Sequence, residues 1–164
     1  MAFTAVEAYT DITYADAMIA SEYPALLTDW DALTDAQQNL YLRSASDMID
    51  RLQYVGYRSS SDQDRMFPRG GDTTIPDPIQ RATVIIALAV WYSKGDADTV
   101  AKYLTITTDA YSAVVSEGFG DVSFSYSGGT GLMGVLIRQG YPHEAIDLLN
   151  PFLASTGTIR ISRS

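Results

Sequence analysis

Asp77-Pro78-Ile79-Gln80-Arg81-Ala82-Thr83-Val84-Ile85-Ile86-Ala87-Leu88-Ala89-Val90-Trp91-Tyr92-Ser93 decides the fold. Asp77 reads as a helix cap. Pro78 falls in the first turn, where its missing N–H costs nothing. Lys94 suits the negative end of the helix and Gly95 its stop. From Val84 to Tyr92 the stretch is apolar on every side. A helix without a polar face is buried on most sides, so this segment is expected at the centre of the core.

Upstream, Thr34 and Gln37 form a capping box that opens a second clear helix. Tyr41, Ala45, Met48 and Leu52 recur along it at helical spacing, and Gly56 marks the exit. An earlier helix is expected over residues 15–22, with Thr13 as cap and Tyr23-Pro24 as its end. Downstream, residues 96–104 read as a short helix. The period then changes: Val122, Phe124 and Tyr126 alternate with Ser123, Ser125 and Ser127, and Tyr111, Ala113 and Val115 alternate upstream. With turn residues at 117–121 this predicts a β-hairpin over 111–127. Residues 128–131 form a flexible joint and 132–139 a short helix. A last helix starts near Pro142, carries Ala145, Ile146 and Leu149, and ends or kinks at Pro151 ahead of Phe152 and Leu153. The expected fold is mainly α: a small helical bundle with a long interhelical loop at 57–76, one β-hairpin and an extended C-terminal tail. A single domain spans 1–153 and the tail 154–164.

At 164 residues the chain suits one domain with a real core. Cysteine is absent, which excludes disulfides, thiolate metal sites and cysteine nucleophiles. Histidine occurs once, at His143, so a multi-histidine metal site is excluded too. No stretch matches a membrane span, and Met1-Ala2-Phe3-Thr4 lacks the basic and apolar regions of a secretory signal. Net charge is −9, with nine acids and one base, Arg43, in residues 1–50. Such a balance repels phosphate backbones and disfavours general duplex binding.

Few motifs carry chemistry. Gly129-x-Gly131-x-x-Gly134 has the dinucleotide-loop spacing, but only 30 residues follow it, too few for a doubly wound sheet, and it reads as a hinge. Asp29-x-Asp31-x-x-x-Asp35 lacks the glycine and terminal glutamate of a calcium loop and reads as a turn before the capped helix. His143, beside Pro142 and Glu144, reads as an exposed helix start. No nucleophile elbow or phosphate loop is present. The chain is therefore expected not to be an enzyme and to need no cofactor. The eleven tyrosines read as core-edge and interface residues.

The most informative segment is 57–76, about twenty residues with neither helix nor strand signal. It holds Arg58, Arg65, Met66, Phe67, Pro68 and Arg69. An aromatic with paired arginines is the composition of an interface hot spot, so these residues are the candidate assembly interface, with Arg160 and Arg163 of the tail as a second arm. The other reading of the segment is a solvated loop.

Taken together, Asp47-Met48-Ile49-Asp50-Arg51-Leu52, Gln63-x-x-x-Phe67-Pro68-Arg69, Ile75-Pro76-Asp77-Pro78, Gly120-Asp121-Val122-Ser123 and Leu148-Leu149-x-Pro151-Phe152-Leu153 resemble the head–tail adaptor (connector, or head-completion) proteins of tailed bacteriophages. The glycine-rich link at 129–141 departs from that pattern. The resemblance implies a structural virion protein made in the host bacterial cytoplasm. It implies a homo-oligomeric ring, commonly dodecameric, below the portal protein at the head–tail junction. Such a ring extends the DNA channel, helps retain packaged DNA and docks neck or tail proteins, and duplex DNA passes its acidic wall without specific binding. No membrane partner is implied. The alternative function is a single-stranded DNA-binding module, against which the net charge and the lack of a basic aromatic groove weigh.

Overall fold

The computed structural model describes residues 7–93 and 141–154, together with strand residues 118–119 and 122–123. Over these residues the protein is mainly α, as expected. Its helices are α1 (Ile12–Glu22), α2 (Pro24–Asp31), α3 (Asp35–Asp50), α4 (Asp77–Ser93) and α5 (His143–Leu149), the last running into a 3-10 turn at Asn150–Phe152. None of them is long and apolar enough to cross a membrane.

Helix α4 is the hub. Residues 82–88 are buried without interruption, with Ile79, Trp91 and Tyr92 beside them. α3 packs on one side of it and α5 on another, while α1 reaches it and pairs with α2. The helix starts at Asp77 itself, and Pro76 supplies the carbonyl that accepts from Ile79 and Gln80. Asp77 is used differently from a cap: its carboxylate accepts from the Tyr14 hydroxyl on α1 at 2.6 Å.

The capping box of α3 forms as expected. Thr34 Oγ1 accepts from Gln37 N, and Gln37 Oε1 accepts from Thr34 N at 2.9 Å. The buried stripe of α3 is turned by about one residue from the expected one. Leu42, Ala45, Ser46 and Ile49 are buried, whereas Tyr41 and Met48 lie at the edge. The small Ser46 fits there because its hydroxyl donates to Leu42 O and accepts from Tyr9 N. A buried serine with both functions satisfied costs little.

Two expectations near the N-terminus are corrected. α1 begins at Ile12 with Asp11 as its cap, accepting from Tyr14 N at 2.8 Å, so Thr13 lies inside the helix. Tyr23 ends α1, but Pro24 is also the first residue of α2. Asp29 and Asp31 lie on that helix and Asp35 opens the next. α2 buries Leu26 and Trp30; the Trp30 indole donates to Asp16 at 2.8 Å and meets Trp91 edge-on at 5.7 Å.

The described strand residues are shifted relative to expectation. Gly118–Phe119 pairs antiparallel with Val122–Ser123, so Gly118 and Phe119 are strand rather than turn. The other expected strand residues, the helices at 96–104 and 132–139, the glycine joint at 128–131 and the tail from 155 lie outside the described residues.

The C-terminal segment closes the fold. Pro151 ends α5 by converting it to the 3-10 turn, as its sequence predicts. Leu153 then bridges Tyr54, with Val55 N donating to Phe152 O and Ala154 N to Gln53 O, both at 2.9 Å. The Tyr141 hydroxyl donates to Met48 O, and that of Tyr23 to Glu144.

Candidate functional site

The segment between α3 and α4 lies against the domain. Tyr57–Ser59 and Pro68–Gly70 run antiparallel: Gly70 N donates to Tyr57 O at 2.9 Å and Ser59 N to Pro68 O at 3.1 Å, so Arg58 stands opposite Arg69. Gln63 zips the loop between them. Its amide nitrogen donates to Arg65 O and Pro68 O, and its oxygen accepts from Ser60 N. The element of the sequence that reads Gln-x-x-x-Phe-Pro-Arg is thus a self-contained loop closure.

Phe67 is the floor of this ribbon. It is 2% exposed and meets Tyr9, Tyr54 and Phe152 edge-on at 5.8, 4.8 and 5.6 Å. The expected outward anchor is therefore a core residue, because three aromatics from distant parts of the chain surround it. The Phe67–Pro68 peptide is cis. Met66 is half-buried against the core and Pro68 is buried.

Arg65 is also turned inward, at 8% exposure. Its guanidinium pairs with Asp50 at 2.7 Å and Asp47 at 3.0 Å, and it donates to Glu7 O. Asp50 further accepts from the Tyr9 hydroxyl and from Met66 N. That hydroxyl in turn accepts from Met66 N and Phe67 N. Tyr9, Asp50 and Arg65 form one network that fixes residues 65–67 on α3. Charges taken out of water need such complete pairing.

The two remaining arginines face solvent. Arg58 is exposed and donates to Gln63 O at 3.0 Å. Arg69 is half-buried and donates to the carbonyls of Tyr54, Val55, Gly56 and Met66, its guanidinium 5.7 Å from the Tyr54 ring centre. Neither has a carboxylate partner among the described residues, and nor does the exposed Arg51 nearby. The register makes Arg58 and Arg69 a non-hydrogen-bonded antiparallel pair, the geometry that brings opposed side chains closest. Arg160 and Arg163 lie outside the described residues.

Tyr57 went unremarked in the sequence. It is 71% exposed, and it and Val55 flank Gly56 on the same surface. A tyrosine beside an arginine inside a loop is a usable signal. It was masked by the many tyrosines of the acidic N-terminal third.

The tyrosines beneath the ribbon have a measurable signature. Burial raises Tyr9, Tyr54 and Tyr141 above the ordinary value of 10, and for Tyr9 the Asp50 carboxylate adds to it. Burial and then the Asp77 hydrogen bond push Tyr14 up to about 12. A raised folded-state value favours the neutral phenol. The stabilisation is therefore complete below pH 10 and is lost as pH climbs, between 10 and about 12 for Tyr14. An alkaline titration followed by phenolate absorbance is expected to show a late-ionising group that includes these four, ionising together with loss of helical circular dichroism. All eleven tyrosines titrating as in the denatured chain would contradict it.

Fold and surface together define a small mainly α domain whose interhelical loop displays arginines without acid partners and an exposed tyrosine. The chain belongs to the family described as "Putative DnaT-like ssDNA binding protein", whose model matches residues 2–164. No curated protein and no solved structure matches it. The family match corrects the resemblance to bacteriophage head–tail adaptors, and with it the structural role in a portal-bound virion ring. The motifs behind that resemblance specify local structure: a glutamine-zipped loop, a buried Phe-Pro and a proline-led helix start. Such devices serve any function.

Proposed function

We propose that the protein binds single-stranded DNA, with the ribbon of residues 57–59 and 68–70 as its contact surface. The observation that carries this is Arg58 and Arg69, opposite each other in the register of the ribbon and each without a carboxylate partner among the described residues. The family description supports the same reading. A phosphate that reaches either guanidinium forms charge-assisted hydrogen bonds with it. The net charge of −9 opposes long-range attraction, so binding depends on close contact. At physiological salt, screening over about 8 Å weakens the repulsion from acids farther off, while Asp62, Asp64 and Asp72 of the same segment remain close.

Anisotropy titration of a labelled oligo-dT across a salt series tests the proposal. Affinity is expected to fall with salt, with about 0.7 in log–log slope for each phosphate contacted. Arg58→Glu should cost roughly tenfold or more in affinity. It should also flatten the slope by about 0.7 while leaving the melting temperature near that of the wild type, since Arg58 is exposed. Wild-type protein that binds no oligo-dT at low salt would sink the proposal.

A further inference from the structure

We infer that Tyr57, with Gly70 and Gly71 beside it, is a stacking site for an unpaired nucleobase; this rests on the DNA-binding reading above. Among the described residues three large apolar side chains are exposed, Leu40, Val55 and Tyr57, and Tyr57 lies on this ribbon. Tyr57 is the most exposed of the three, and no side-chain hydrogen bond or ring contact holds it among the described residues. The antiparallel register that opposes Arg58 to Arg69 sets Gly70 opposite Tyr57. Cross-strand neighbours ordinarily cover an aromatic ring on a ribbon. Here the neighbour has no side chain, and the next residue is also glycine. A Cβ built on Gly70 or Gly71 meets nothing within 4 Å, so that strand adds no side chain and the space at the two glycines is open.

Both glycines have positive φ, 68° and 92°, which bars most side chains from these positions. The backbone conformation that turns the chain toward α4 therefore also keeps the platform bare. Below it, Phe67 and its three aromatic neighbours make the ribbon a rigid mount. Successive residues of an extended strand face opposite ways, so Tyr57 and Arg58 use different faces of the ribbon. Neighbouring nucleotides of one strand would then engage the two faces, base on tyrosine and phosphate on arginine. A duplex cannot do this, because its bases are stacked on each other. The tyrosine accordingly supplies the preference for single strands, and the arginines the affinity for phosphate.

Three variants of the full chain, titrated with oligo-dT, with a duplex and with an abasic oligomer of equal length, test the inference. Tyr57→Ala is expected to weaken oligo-dT binding about 5- to 150-fold, the range of a single base–aromatic stack, without changing the salt slope. Tyr57→Phe should stay within about threefold of the wild type, since stacking uses the ring and not the hydroxyl. Tyr57→Trp places an exposed indole on a protein whose described tryptophans, Trp30 and Trp91, are buried. Its fluorescence should be quenched by oligo-dT and not by the abasic oligomer. Tyr57→Ala binding oligo-dT like the wild type, with Arg58→Glu still defective, would overturn the stacking site and leave the DNA-binding reading standing. Wild-type protein that ignores every oligomer would overturn both.

Discussion

Phe67→Ala is expected to lower the melting temperature by roughly 6–20 °C. Removing a buried phenylalanine costs about 3–5 kcal/mol, and a domain of this size loses about 2–4 °C for each kcal/mol. The upper part of the range applies if the site cannot collapse. Phe67 touches Tyr9 from the N-terminal segment, Tyr54 from the exit of α3 and Phe152 from the C-terminal turn. These rings belong to three separately anchored segments, so no single shift fills the hole. Thermal denaturation by circular dichroism reads the effect directly. An unchanged melting temperature would put Phe67 at the surface and restore the picture of an outward arm.

Breaking the Arg65 network should be nearly as damaging. Arg65→Met keeps the length of the side chain and removes its charge, leaving Asp50 facing the Tyr9 hydroxyl and Met66 N without its cation. Breaking a buried pair on one side costs about 3–5 kcal/mol. The half-open position of Asp50 and the exposure of Asp47 place the expected loss at the low end, about 3 kcal/mol. Asp47→Ala, which removes the exposed partner, should cost less than about 1 kcal/mol. Urea unfolding of the two variants separates them. Equal losses would mean that Arg65 is held by its exposed partner, and the buried triad would not be the keystone.

The parts of the fold legible in the sequence are those specified by neighbours along the chain. The Thr34–Gln37 box and the run from Val84 to Tyr92 each contain their own instructions, and both helices form where expected. Pro151 likewise ends its helix, whose last residue, Leu149, lies two positions before it. Pro24 was harder to read, because a proline both stops one helix and starts another; reading only the first role hid α2. The segment 57–76 was misread for a different reason. Phe-Pro-Arg with flanking arginines is the composition of a surface anchor and equally of an interior clamp. The choice between them is made by Tyr9, Asp50 and Phe152, up to 85 positions away in the chain, whose approach no local pattern announces. Of the candidate residues, Arg58 and Arg69 remain on the surface, whereas Arg65 and Phe67 are structural. The exposed Tyr57 was missed because exposure is a property of the folded chain.

The pairing of residues 53–55 with 152–154 carries a consequence for the order of events during synthesis. Residues 57–70 are synthesised well before residues 141–154, yet one wall of the pocket around Phe67 is Phe152. Until residues 141–154 arrive, the ribbon lacks that wall and the backbone bonds that pin its root, and an exposed Phe67 side chain is left to solvent. The ribbon is thus finished only once residues 141–154 have been made. It matures when the segments around Tyr9, Phe67 and Phe152 have met.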